Sequence, residues 1–337
     1  MRPLGTARVR GRSGGRAVAP LGSRWLISRS EPLRRWFAPG KRVQPSMTVN
    51  EFEALAREYP DWQPWLLVVD AVMCEATDPS WETWVPAAES QAAHAPGLAG
   101  AKLTADVGKI RRWQRHLLQT AAQSGAPKMS QLASLQKLTM DSAAIFEAAL
   151  CEDGAALKQM ADYLGVEPEP FSAVNALIAI PFLHACNRRW QGSRVAGWTA
   201  GYCPTCGAWP AFAETRGIER SRYLRCGRCG AEWEAHALFC CFCRNSDHKE
   251  LGSLLPEKSG STRSIDICNR CRGYLKTFNK LQGSAPTKIM LDDLASVDLD
   301  IAALEQGFKR PPGPGYALNT KVVGRPSFGQ RIFGRSV

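Results

Sequence analysis

Four short stretches between residues 203 and 272 each contain two cysteines separated by two residues: CPTCG (203–207), CGRCG (226–230), CCFCR (240–244) and CNRCR (268–272). Two thiolates at this spacing can bind one metal ion from a single tight turn. Two such turns complete a four-sulfur shell around zinc or iron. The four pairs therefore predict two tetrahedral metal sites.

The gaps between the pairs indicate which cysteines share a metal. Nineteen residues follow the first pair and twenty-four follow the third, but only ten separate the second from the third. Each longer gap can hold a β-hairpin, which favours sequential pairing. An interleaved pairing, first with third and second with fourth, stays open. The predicted ligands are Cys203, Cys206, Cys226 and Cys229 for the first metal, and Cys240, Cys243, Cys268 and Cys271 for the second.

The residues beside the pairs make the second site less regular than the first. Gly207 and Gly230 suit a turn whose backbone needs positive φ, whereas Arg244 and Arg272 stand at the same place in the other two turns. The second site is therefore expected to be more strained or more accessible. Cys241 is predicted to be a bystander thiol, with ligand exchange or redox activity as the alternative. His236 and His248 are minor alternative ligands.

Cysteine usage favours metal binding over disulfides. Regular two-residue spacing in a long chain without a secretory signal is typical of metal ligation in a reducing cytosol. The remaining cysteines, Cys74, Cys151 and Cys186, stand in apolar surroundings and are predicted to be small core residues. His184 and Cys186 are expected on different faces of one helix, which argues against a joint metal role.

The net charge of +12 is concentrated at the two ends of the chain. Residues 1–46 carry +10 and residues 307–337 carry +6, so the body is acidic at −4. Residues 200–280 carry +5, which eight thiolates and two divalent ions would reduce to about +1. The charge therefore argues against nucleic acid as the main partner, although Arg220, Arg222, Arg225 and Arg228 could still contact phosphate.

Apolar spacing divides the chain and predicts an α+β fold. An N-terminal all-helical bundle precedes two rubredoxin-like or zinc-ribbon β-modules and a C-terminal helix at about 289–306. A last long bundle helix is expected over about 171–190, with a kink or break at Pro181. The absence of eighteen consecutive apolar residues argues against membrane insertion. The predicted regions are a disordered basic extension (1–46), a helical domain (47–192), the double metal-binding region (200–280), a helical closure (281–310) and a disordered Pro/Gly-rich tail (311–337).

The sequence gives no indication of an enzyme. It contains neither a Gly-rich phosphate loop nor a nucleophile elbow, and none of the cysteine pairs has the strand-to-helix context of a thioredoxin-like dithiol. Two functions stay open from the residues alone: a zinc-ribbon module that binds nucleic acid or associates with transcription, and an electron-transfer or thiol-redox enzyme. Residues 1–46 are interpreted as a disordered tail or an upstream extension before Met47, with an organellar transit segment as an alternative.

Short motifs stand between and after the four cysteine pairs. These motifs are Arg222-Tyr-Leu-Arg225, Glu232-Trp233, Tyr274-Leu-Lys276, Asp292-Asp-Leu-Ala295, Leu299-Asp300 and Gly307-Phe-Lys-Arg310. Together with the four pairs in order, they resemble the FdhE family of formate dehydrogenase accessory proteins over about 110 residues.

The resemblance implies a cytoplasmic accessory protein, or assembly chaperone, that binds the catalytic subunit of formate dehydrogenase and is needed for that enzyme to become active. It also implies two rubredoxin-like sites, which favours iron, with zinc as the alternative. Self-association stays open. The chain departs from the family pattern in residues 1–46, in its extension beyond about Gly315 and at Arg272, where the family commonly has glycine.

Overall fold

The structure is a computed structural model that describes residues 49–87, 94–126, 128–137, 140–191, 197–256 and 261–324. The predicted basic extension of residues 1–46 lies outside these ranges. The described residues combine helices in the N-terminal part with a β-sheet in the cysteine-rich part, so the predicted α+β class is confirmed. Both parts belong to one compact unit.

Among the described residues, seven α-helices form the N-terminal part, and aspartates begin three of them. Asp106, Asp141 and Asp153 each accept a backbone N–H from the first turn of the helix that follows, which satisfies donors that a helix leaves unpaired at its start. The helices are α1 (Val49–Glu58), α2 (Gln63–Ala76), α3 (Val107–Gln123), α4 (Ser142–Leu150), α5 (Gly154–Leu164), α6 (Pro168–Asn175) and α7 (Ile180–Trp190).

The last two helices of this part fall where one long helix was expected. The chain is interrupted between α6 and α7, and Pro181 lies in the first turn of α7, where a missing N–H costs no helical hydrogen bond. Pro168–Trp190 is long and apolar enough to cross a membrane by length and composition, but 72% of its most apolar window is buried inside the protein. Phe171, Phe182 and Cys186 are fully buried, as in a core helix.

A short strand crosses the helical part, which the helical pattern did not predict. β1 (Lys102–Ala105) pairs in parallel with β8 (Lys321–Gly324), near the C-terminal end of the described chain. Residues 311–324 were expected in a disordered tail, so this part of the prediction is corrected. Leu318 and Thr320 are buried, and the Thr320 hydroxyl donates to the Leu98 carbonyl. Burial and backbone pairing hold the segment despite its Pro and Gly content.

The described residues of the cysteine-rich part form six strands in one sheet. The strands are β2 (Phe212–Arg216), β3 (Ser221–Arg225), β4 (Glu232–Glu234), β5 (Leu251–Leu254), β6 (Arg263–Cys268) and β7 (Gly273–Lys280). Their order in the sheet is β4-β3-β2-β7-β6-β5. Two antiparallel three-stranded modules meet at its centre, where β2 and β7 pair in parallel. The predicted β-ribbons therefore share a continuous sheet.

Two short helices, α8 (Ile289–Leu294) and α9 (Val297–Glu305), replace the single C-terminal helix that was expected. The break falls at Ser296, whose hydroxyl donates to the Asp292 and Asp293 carbonyls. From α9, Leu299 and Ala303 join a core cluster with Phe212 and Phe278 of the sheet. Leu291 of α8 packs in a cluster with Leu55 and Leu66 of α1 and α2. These helices thus link the sheet to the helical part.

Candidate metal centres

The structure brings the eight predicted cysteines together in two groups of four, in the sequential pairing. Within each group all four sulfurs lie within 4.8 Å of one another. In the first centre, Cys203 Sγ is 3.5 Å from Cys229 Sγ, and Cys206 Sγ is 3.5 Å from Cys226 Sγ. The corresponding distances in the second centre, Cys240 to Cys271 and Cys243 to Cys268, are both 3.7 Å.

These sulfur separations fit a four-coordinate metal ion. A metal–sulfur bond of about 2.3 Å in a tetrahedral shell places neighbouring sulfurs about 3.8 Å apart. The distances of 3.5 and 3.7 Å lie close to that value. Both clusters could therefore hold a metal ion, and their donor set suits zinc and iron equally.

Each Cys-x-x-Cys turn forms a knuckle, and the residue that follows it has a left-handed backbone. This φ is +72° at Gly207, +70° at Gly230, +61° at Arg244 and +57° at Arg272. The turn is closed by a hydrogen bond from that residue's N–H to the first cysteine's carbonyl in three knuckles, at Gly207, Gly230 and Arg244. Two arginines thus adopt a conformation that costs an L-residue about 1–2 kcal/mol. This observation confirms the expected strain at the second centre.

The two centres also differ in how deeply their cysteines are buried. All four cysteines of the first centre are at most 1% exposed. In the second centre Cys240 and Cys268 are buried, but Cys243 and Cys271 are half-buried. The expected greater accessibility of the second site is therefore present in the structure.

The ionisation of the first centre shows why the cluster suits a cation. Burial disfavours the thiolate of Cys226, but hydrogen bonds from the three other cysteines outweigh burial and lower its pKa well below the usual value. Hydrogen bonds to the other cysteines, reinforced by burial, raise the pKa of Cys206 well above it. Burial is the first cause of the similar rise in the pKa of Cys229. A bound cation would favour the thiolate form of all four cysteines.

Arg228 connects the first centre to the helical part of the protein. It lies between Cys226 and Cys229, and its guanidinium donates to Glu152 at 2.9 Å and to the Ala149 carbonyl at 2.6 Å, at the end of α4. Burial disfavours its charge, but Glu152 and the nearby thiolates outweigh burial and raise its pKa. The sequence indicates Arg228 only as a potential phosphate contact, because spacing gives no information about a tertiary partner.

A second residue that the sequence did not indicate is Asn245. It follows the third knuckle, is buried, and its side-chain N–H points to Cys268 Sγ at 3.9 Å. The backbone carbonyl of Asn245 accepts the Cys240 N–H. Such contacts orient ligands and tune their basicity. An Asn directly after a Cys-x-x-Cys-Arg turn is the local signal that could have found it.

The other candidate ligands lie outside both sulfur clusters. His236 and His248 are exposed, and neither joins a group of potential metal ligands among the described residues. Cys241 is a buried thiol whose pKa is raised, first by burial, and it packs in the core outside both groups of ligands. Cys186 is a core residue and Cys151 is half-buried, but Cys74 is exposed, so the prediction that it is a core residue was wrong. Its sulfur lies 3.9 Å from Asp70 on the outer face of α2.

Ion pairs occupy most of the arginines that were considered as phosphate contacts. Arg222 binds Asp266 at 2.9 Å, and Arg225, which is 1% exposed, binds the fully buried Glu214 at 2.9 Å. Together with Arg228, these side chains are directed into the protein. Of the four arginines only Arg220 is exposed. The local basic patch that the sequence suggested is therefore not present on this surface.

Several residues that carried the family resemblance meet around Lys276. This lysine is fully buried, and its Nζ lies 2.6 Å from Asp293 and 2.8 Å from Asp300. Tyr274 donates to Asp300, and Arg310 binds both aspartates. The motifs on β7, α8, α9 and the segment after α9 thus form one ion-pair network. A buried lysine without these partners would be strongly destabilising.

Part of this chain is similar to known proteins. Residues 238–315 match the family model described as FdhE, C-terminal domain. An FdhE homolog of Aquifex aeolicus is 32% identical over 114 residues, which are 33% of this chain and 40% of that protein. An FdhE homolog of Pseudomonas aeruginosa is 30% identical over 162 residues, or 46% of this chain and 52% of that protein.

The FdhE protein from Pseudomonas aeruginosa has a solved crystal structure that is similar to this chain. The match covers 80% of this chain and 93% of that chain, with a TM-score of 0.43 and 22% identity. The sequence matches to the two homologs span 40% and 52% of those relatives. The resemblance to the FdhE family is confirmed, and the family model covers residues 238–315, which include the cysteines of the second centre.

Proposed function

We propose, from the match of residues 238–315 to the FdhE family, that this chain is a cytoplasmic accessory protein for formate dehydrogenase. In this role it binds the catalytic subunit and is needed for that subunit to become active, without being an enzyme itself. The match at residues 238–315 is the observation that carries the proposal. The Lys276 network supports it, because residues that carried the resemblance are structurally connected.

Within this proposal the eight clustered cysteines are the ligands of two metal ions. Cys203, Cys206, Cys226 and Cys229 would hold the first ion, and Cys240, Cys243, Cys268 and Cys271 the second. Iron in such a shell supplies one-electron chemistry, whereas zinc supplies only structural stability. We favour iron because the resemblance is to rubredoxin-like sites. Metal analysis and visible spectra of protein purified without oxygen distinguish the two metals, since a colourless zinc protein would refute the redox role.

The nucleic-acid alternative loses support from the side-chain positions. Arg222, Arg225 and Arg228 contact Asp266, Glu214 and Glu152, so their charges are neutralised inside the protein. Phosphate contacts need cationic groups that reach the surface. These three arginines therefore do not support a phosphate-binding role for the cysteine-rich part.

Capture of the client tests the proposed partner. A tagged full-length chain should recover the formate dehydrogenase catalytic subunit from cells that express the enzyme. The Cys74→Ser variant should capture the subunit equally well, because Cys74 is exposed and lies outside both centres. Repeated failure of the wild-type chain to capture the subunit would contradict the proposal.

A deletion strain tests the accessory role separately from binding. Without the chain, the catalytic subunit should be present at normal abundance, yet formate oxidation should be lost and should return when the chain is supplied. The purified chain alone should not oxidise formate. Full activity in the deletion strain, or formate oxidation by the chain itself, would refute the accessory role.

A further inference from the structure

The two candidate centres differ in how completely other parts of the chain cover them. We infer that they have different roles: the second centre exchanges its metal ion with the surroundings, and the first retains its ion while the protein stays folded. This inference rests on the ligand assignment made under the proposed function. Its basis is the packing around each knuckle.

The first centre is covered on both of its knuckles. The Gly97 N–H donates to the Pro204 carbonyl, and the Tyr316 N–H donates to the Gly207 carbonyl. At the other knuckle, a Cβ on Gly230 would lie 2.8 Å from the Pro286 carbonyl oxygen, so Pro286 packs directly against the turn. Release of an ion here requires movement of segments that lie far apart in the sequence.

Arg228 adds a further contact to the cover of the first centre. Its side chain reaches the end of α4 and is only 17% exposed. Opening the knuckle would separate the guanidinium from Glu152 and from backbone carbonyls, and bonds of this charged kind are among the stronger ones in proteins. The helical part thus resists opening of the first centre.

The second centre has an edge that faces solvent. Cys243 and Cys271 are half-buried and come from different knuckles, so both turns contribute a ligand to this edge. Arg270, which corresponds in position to Arg228, is exposed. Its knuckles also carry the two strained arginines, Arg244 and Arg272. A chelator or an incoming ligand can therefore approach this ion from the solvent at the edge formed by Cys243 and Cys271.

The two arginines do not contribute equally to this difference. Arg272 stacks on Phe308 with its guanidinium carbon 3.9 Å from the ring centre, and it donates to the Gln306 carbonyl. Arg244 is exposed, and its side chain has no hydrogen bond or ion pair within the described ranges. Strain at Arg272 is thus offset by contacts, whereas strain at Arg244 directly weakens its knuckle.

Metal transfer to a chromogenic chelator tests the inference on the full chain. Zinc-loaded protein is mixed with excess 4-(2-pyridylazo)resorcinol, and N-ethylmaleimide added during release labels the freed cysteines for mass spectrometry. One ion should leave at least about tenfold faster than the other. The fast phase should expose Cys240, Cys243, Cys268 and Cys271 to labelling. Cys74, which is exposed and outside both centres, provides the internal reference for the labelling reaction.

Variants identify the centre that releases its ion first. Cys243→Ser combined with Cys271→Ser should leave one ion per chain and remove only the fast phase. Arg244→Gly should slow the fast phase by removing backbone strain, and Arg272→Gly should slow it less because it also loses the Phe308 contact. If the double variant does not fold, labelling of the wild-type chain still decides the order.

The experiment distinguishes failure of this inference from failure of the ligand assignment. Release of both ions at one rate, or earlier labelling of Cys203, Cys206, Cys226 and Cys229, would overturn the inference while leaving the ligand assignment intact. Binding of fewer than two ions by the wild-type chain would overturn the ligand assignment itself, and with it the inference.

Discussion

Replacement of Arg228 by methionine should weaken both the first centre and its contact with the helical part. Methionine retains an apolar side chain of comparable length but removes the guanidinium that donates to Glu152 at 2.9 Å and to the Ala149 carbonyl at 2.6 Å. The positive charge near the thiolates is lost as well. The helical part and the first centre would then be held together by apolar packing and by fewer polar contacts.

The expected magnitude follows from these contacts. Hydrogen bonds to charged groups contribute about 1.5–3 kcal/mol each. The two short bonds together set the upper limit of the loss in stability. The actual loss should be smaller, because the Glu152 side chain is 26% exposed and can bind water when Arg228 is replaced. We therefore expect Arg228→Met to lower the free energy of unfolding by about 3 kcal/mol. The affinity of the first centre for metal should fall about 10- to 100-fold.

Urea unfolding of the metal-loaded chain and competition with a chelator measure these two effects. Arg270→Met is the matched control, because Arg270 occupies the same place in the fourth knuckle but is exposed. Its replacement should change the free energy of unfolding by no more than about 0.5 kcal/mol. If Arg228→Met were equally mild, or if Arg270→Met were equally costly, the role assigned to Arg228 would be refuted.

Two further predictions concern the buried charges of the sheet. Lys276→Met removes a fully buried cation from Asp293 and Asp300, so it should lower the free energy of unfolding in urea by about 3 kcal/mol. Arg263→Met, which removes the exposed Arg263–Asp298 pair, should cost about 0.5 kcal/mol. Equal costs would contradict the burial argument. Burial opposes the charge of Glu214, but Arg216 and Arg225 outweigh it and lower the pKa of Glu214 below its usual 4.5. Because the folded pKa is the lower one, the ion pair stabilises the protein above about pH 4.5 and this contribution is lost as the pH falls through the folded pKa. The stability difference between wild type and Glu214→Gln should therefore shrink below that pH, and a difference that grows on acidification would reverse the assigned sign.

The sequence was informative about the sulfur clusters because their geometry is set locally. A two-residue spacing fixes how two sulfurs approach one ion, and Gly207 and Gly230 indicate the left-handed turn that follows. The gap lengths favoured the sequential grouping that the structure shows. The same locality explains why the helical periods of the N-terminal part predicted its class of structure.

Features that depend on distant residues could not be predicted in this way. The pairing of β1 with β8 joins segments more than 200 residues apart, and neither four-residue strand has a distinctive pattern. The Pro and Gly content after residue 311 suggested disorder, because composition does not reveal that Leu318 and Thr320 are buried elsewhere in the fold. The partner of Arg228 and the exposure of Cys74 are likewise tertiary properties.

Metal content per chain tests the central claim, that the eight clustered cysteines form two separate four-sulfur centres. The wild-type chain should hold two ions, and Cys203→Ser combined with Cys206→Ser should hold one, with the helical part still folded by circular dichroism. Both replaced residues belong to the first cluster, so the second ion should stay bound. Two ions in that double variant, or one in the wild-type chain, would contradict the account.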